Sequence, residues 1–167
     1  MKILFKRTLI LLVGGYFIYG GFVLHGCGLM NSADLAFHEA GHVIFGVFGE
    51  YVGMWGGTLM QLLFPLVIAI SFFKHGDKFS AYVILCWFGQ NFFHIAPYIK
   101  DATAQSLPLV GGWIHDWHFI LGRAGLLNMD QGIGNAVWCA GFAVIAYSVF
   151  MGMLSAGEEK TEGEIPS

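Results

Sequence analysis

Charged residues are scarce in this chain. Asp, Glu, Lys and Arg make up 11% of its 167 residues, and 56% are hydrophobic. A soluble domain averages about 25% charged residues, so a water-solvated globule is excluded, and the mean hydropathy of +0.66 agrees. Cysteine is sparse too: Cys27, Cys86 and Cys139 stand singly without a CxxC pair, which leaves neither a disulfide framework nor a thiolate metal site. No basic face with interleaved aromatics exists, so nucleic acid is set aside as a partner. There is no internal repeat.

What remains is apolar sequence in lengths suited to a bilayer. Five runs, Thr8–Leu24, Ser32–Phe48, Thr58–Phe73, Ser80–Tyr98 and Ile133–Leu154, come close to the ~17–25 residues that cross hydrocarbon. Irregular backbone facing lipid is not viable, so the expected fold is all-α: a polytopic membrane helix bundle of about five transmembrane helices. Residues 1–157 form one integral membrane domain in contact with lipid, and the acidic tail 158–167 is expected to be disordered. Asp101 to Gln131 is too apolar for an ordinary loop and reads as an interfacial or re-entrant segment before the last helix, with Trp113 and Trp117 at headgroup depth. With alternating spans, Lys2, Lys6, Arg7, Lys100 and Arg123 share one side against Lys74, Lys78 and Lys160. That bias expects a cell (inner) membrane protein with a cytoplasmic N-terminus and an exported C-terminus.

One motif carries chemistry: His38-Glu39-Ala40-Gly41-His42. Residues four apart share a helix face, so the two imidazoles converge on one ion. Zinc suits them, because imidazole nitrogen binds it well and a coordination position can stay open. Glu39 is placed to take a proton from water activated there. At this chain's His and Glu frequencies such a pattern arises by chance with probability of order one in a hundred. Ionisable residues inside an apolar helix are also costly unless they face the interior and serve a function.

Two further groups of polar residues are candidates to complete the site. Asn91, His94, Tyr98, Asp101 and Gln105 fall at steps of three and four and predict one polar stripe on the fourth helix, beside a kink at Pro97. His115-Asp116-Trp117-His118 offers a ligand or a partner that orients a ligand histidine.

These motifs, in this order, resemble the site-2 protease family of intramembrane zinc metalloproteases. His38–His42 is similar to the family's HExGH helix. Gly57-Thr58-Leu59-Met60-Gln61 resembles its G-P-x-x-N turn, with Thr58 for proline and Gln61 for asparagine. His94 to Ala102 resembles its N-x-x-P-x-x-x-x-D-G element, with histidine for asparagine, the aspartate one residue early and alanine for glycine. The resemblance covers residues 34–102, about 40% of the chain. It implies Zn2+ on His38, His42 and Asp101; helix depth at ~1.5 Å per residue keeps His94, and the re-entrant segment keeps Asp116, as alternative third ligands. It implies Glu39 as the catalytic base and Gly57, Gln61 and His94 near the substrate or behind the ligands, where the polar stripe and the His115–His118 cluster add Asn91 and His115. The expected activity is hydrolysis of peptide bonds in membrane-embedded proteins or peptides, held by strand addition along an exposed edge near Gly56–Gln61. The competing expectation is a non-proteolytic membrane protein that binds metal or haem.

Overall fold

The computed structural model describes residues 1–24, 28–109 and 114–157. The predicted tail, Trp113 and Cys27 therefore lie outside the described residues. All regular structure among the described residues is helical: α1 (Lys2–Tyr19) continuing as a π-turn (Gly20–Leu24), α2 (Gly28–Gly46), α3 (Glu50–Lys74), α4 (Lys78–Lys100), α5 (Asp116–Ala124), a 3-10 turn (Leu127–Met129) and α6 (Asp130–Ser155). Three of these segments, Lys2–Phe22, Glu50–Lys74 and Leu127–Ser155, are long and apolar enough to cross a membrane.

Local chemistry sets the boundaries. Asp77 caps α4 by accepting the Ser80 amide at 3.0 Å. The α5 helix starts on His115, whose Nδ1 accepts the His118 amide at 3.2 Å, and stops at Gly125 with φ of +70°, a conformation only glycine adopts readily. The α3 helix begins at Glu50, eight residues before the predicted Thr58. Residues 56–61 are consequently helix interior rather than a turn, their backbone is spent on helical hydrogen bonds, and no strand edge exists there for a substrate. The α4 helix passes through Pro97 to Lys100. It ends before Gln105, which sits in a turn with φ of 49°, so the predicted polar stripe stops at Asp101.

The central helix is α4. It packs on α6 along small residues: Gly89 and Gly141 bring the two backbones together, and Gly134 admits the Lys100 side chain. Around this axis lie two apolar clusters, one holding Ile10, Phe17, Tyr82, Cys86 and Ile145, the other Ile95, Ile99, Trp117, Ile120 and Leu121.

Helix direction departs from the sequence expectation. Lys6 lies over the Phe79 ring at 5.3 Å and Gly21 meets Phe93, so α1 runs parallel to α4. The α2 helix is antiparallel to α3, since Gly41 faces Gly56 and His38 faces Gln61. Because α3 is in turn antiparallel to α4 (Gln61 faces His94 and Phe73 faces Tyr82), α2 also runs with α1. Only residues 25–27 separate those two helices. Three residues reach ~14 Å at most, too little to return across a ~30 Å hydrocarbon core. So α1 and α2 do not alternate as successive full spans would.

Candidate metal centre

The α2–α3 hairpin brings the histidine pair into place by close backbone approach. A Cβ on Gly41 would collide with the Gly56 carbonyl, and one on Gly56 would lie 2.5 Å from the Gly41 carbonyl. Glycine inside the HEAGH motif therefore lets α3 come near enough to meet both imidazoles. Gly57 lies directly against them: a Cβ there would stand 2.5 Å from His38 Nε2 and 2.6 Å from His42 Nε2.

The third member of the group arrives from α5. Asp116 Oδ2 lies 3.0 Å from His38 Nε2 and 3.1 Å from His42 Nε2, and the two Nε2 atoms are 3.0 Å apart. The other ring nitrogens define the tautomers. His42 Nδ1 donates to the Gly53 carbonyl at 2.8 Å, which can only accept. His38 Nδ1 donates to Gln61 Oε1 at 3.3 Å, and Gln61 Nε2 donates to His94 Nδ1 at 2.9 Å, the amide orientation being assigned from these partners. With both Nδ1 atoms protonated, each Nε2 presents a lone pair to the other and to a carboxylate. Three such atoms in a triangle of 3.0–3.1 Å sides are held together by a shared positive charge, a proton on one imidazole or a metal ion among them. Zinc with bonds of ~2.0–2.1 Å needs neighbouring donors ~3.3 Å apart in a tetrahedron, so this donor set fits that ion closely. His38, His42 and Asp116 also form the one group of three candidate metal-binding side chains found among the described residues.

Each residue of the His115–His118 cluster has a separate task. His115 is buried, caps α5 and points Nε2 at Asp101 Oδ2 across 3.4 Å. Asp116 opens α5, where the helix dipole favours a carboxylate. Trp117 packs edge-on against Trp55 of α3 with ring centres 5.2 Å apart. His118 Nδ1 donates to the Ala102 carbonyl at 2.7 Å and fastens α5 to the end of α4.

Asp101, the third ligand by resemblance, does not join the triangle. Its carboxylate instead closes the turn after α4, accepting the Ser106 amide at 2.9 Å, the Ser106 hydroxyl at 2.6 Å and the Leu107 amide at 2.9 Å. The reason is axial distance. Gln61 sets His94 level with His38, and Asp101 lies seven residues further, ~10 Å along α4. His94 is level with the pair but faces Gln61, so it stands behind His38. Asn91 sits on the same face of α4, with Nδ2 on the Trp87 carbonyl at 3.0 Å.

A cavity of about 60 Å³ opens beside the triangle, lined by His38, Glu39, Thr58, His94, Tyr98 and Asp116 among others. By the same measure a water needs roughly 10–15 Å³, so the space holds a few waters or a stretch of extended backbone, not a folded helix. Sequence reasoning missed two features here. One is the Gly41–Gly56 contact, which small residues on facing helices hint at. The other is Asp34, four residues before His38 and fully buried.

Fold and site together define an all-helical protein, three of whose segments are long and apolar enough to cross a membrane, with a two-histidine, one-carboxylate cluster in the bundle. No protein-family model, curated protein or solved structure matches the chain.

Proposed function

We propose that this protein is a zinc-dependent intramembrane peptidase, with His38, His42 and Asp116 as metal ligands and Glu39 as the proton carrier. The observation that carries this reading is the triangle of two imidazole nitrogens and a carboxylate oxygen beside a cavity lined by Glu39. When bound, zinc supplies Lewis acidity towards water and the scissile carbonyl. Glu39 accepts the proton of the attacking water and delivers it to the departing amine. Gln61 and the Gly53 carbonyl hold the histidine tautomers that leave Nε2 free. The narrow cavity selects unwound backbone, so a membrane-embedded substrate must lose helix locally before it is cut.

A metal-binding protein without hydrolytic activity is the competing reading, and Glu39 at the cavity favours catalysis over it. A haem between helices is disfavoured, because His38 and His94 are bridged by the single Gln61 amide, too close for a porphyrin.

For the membrane we propose four alternating spans, α1, α3, α4 and α6, with α2 entering from the site end without crossing. Lys2, Lys6, Arg7, Lys74 and Lys78 then share one face of the bilayer, against Lys100 and Arg123 on the other. That distribution assigns both α1's start and α6's end to the cytoplasm of a cell membrane.

The deciding experiment is Glu39→Gln in purified protein, with zinc analysis and cleavage of model transmembrane substrates in liposomes. Cleavage should fall ~10²–10⁴-fold while zinc stays near one per chain. Undiminished cleavage would refute the mechanism whatever the metal content.

A further inference from the structure

A second polar site lies one helical turn before His38. Asp34 is fully buried, on the side of α2 that also carries His38 and His42. Its Oδ1 accepts the Trp87 indole N–H at 2.8 Å, whereas Oδ2 has no hydrogen-bond partner among the described residues. Gln90, 1% exposed, reaches the Asp34 carboxyl, yet neither of its amide atoms makes a well-formed hydrogen bond. Asn91, also fully buried and one turn beyond Trp87 on α4, spends Nδ2 on the Trp87 carbonyl and leaves Oδ1 unpartnered.

Four orphaned atoms thus belong to three buried residues, Asp34 on α2 and the consecutive Gln90 and Asn91 on α4, and three of the four are acceptor oxygens. Buried polar atoms are paired in nearly all proteins, and a lone carboxylate in an apolar bundle is more costly still. We infer that Asp34, Gln90 and Asn91 form a binding site for a small monovalent cation, sodium by size and oxygen preference. A proton on Asp34 neutralises the charge but serves one acceptor. A water serves two and leaves the charge. A monovalent cation answers all three oxygens and makes the site neutral. A divalent ion would strand a net positive charge in the bundle, since one carboxylate is present. The site is separate from the zinc triangle, and its occupancy would hold α2 against α4 at the level from which His38 projects.

The test is thermal unfolding of the full chain in detergent, with sodium chloride replacing choline chloride at constant ionic strength, together with radioactive sodium binding. The expected result is a saturable rise in Tm with sodium, smaller with potassium, and one bound sodium per chain. Asp34→Asn should lose both. Because that variant also alters a buried contact, Gln90→Met provides a second reading: it keeps the carboxylate, removes one oxygen and should weaken sodium binding several-fold. Equal Tm in sodium and choline for the wild type, or a full sodium response in Asp34→Asn, overturns the site and leaves a neutral Asp34 with buried water.

Discussion

The two flanks of the bundle use glycine for different ends. On the α1–α6 flank, Gly14 makes room for Val149 and Gly152 for Ile10, and nothing but apolar surface is brought together. On the α2–α3 flank, Gly41 and Gly56 let two backbones touch, and Gly57 then stands against two imidazoles. The same small residue gives shape packing in one place and a close approach to two imidazoles in the other. The difference lies in what projects beside it. The α2 helix carries Asp34, His38, Glu39 and His42, and pays for them in hydropathy, so it falls short of the apolar character of α1, α3 and α6.

That contrast breaks most directly at α5. Asp116→Asn should lower zinc affinity by at least ~100-fold, beyond the ~10–100-fold usual for residues that only support a ligand. Asp101→Asn should stay within that supporting range, because it loosens the turn holding His115. Competition with a zinc chelator measures both, and equal losses would return Asp101 to candidacy as a ligand.

A smaller effect separates the flanks themselves. Gly41→Ala and Gly14→Ala each force a methyl into a packed contact and should each destabilise by ~1–3 kcal/mol. Zinc per folded chain should drop for Gly41→Ala alone. If Gly14→Ala lost metal equally, the two flanks would be one cooperative unit.

Acid should act through Asp101. Burial raises its pKa, but the Ser106 hydroxyl, the Leu107 and Ser106 amides and His115 together hold it below the ordinary carboxylate value. Its contribution to stability is therefore present above the unfolded value of about 3.9 and is lost as pH falls through the lower folded one. Tm measured from neutral pH down to acid should show this loss in the wild type and a flatter acid limb in Asp101→Asn. An unchanged limb would mean the turn after α4 does not respond to that carboxyl.

The smallest change is expected at Gly15, where an added Cβ meets nothing within 4 Å. Gly15→Ala should stabilise α1 by about 0.5–1 kcal/mol through helix propensity, with no change in zinc content. A destabilised Gly15→Ala would reveal a contact on that face of α1.

Much of this was legible in local sequence. Hydropathy and run length were enough for an all-helical chain with helices near the predicted positions, because apolar composition and span length are properties of single segments. The i, i+4 spacing of His38 and His42 was enough for convergence, because helix geometry fixes which side chains share a face. Two things needed the tertiary structure. The direction of α2 relative to α1 depends on which helix each packs against, and no local pattern encodes that. The partner of the histidine pair depends on the depth at which α4 and α5 meet α2. Asp101 and Asp116 are both carboxylates beside polar clusters, and the motif resemblance favoured Asp101. A rise of ~1.5 Å per residue carries Asp101 past the pair, while the chain's return through α5 brings Asp116 back to it, a choice made by packing rather than by sequence spacing.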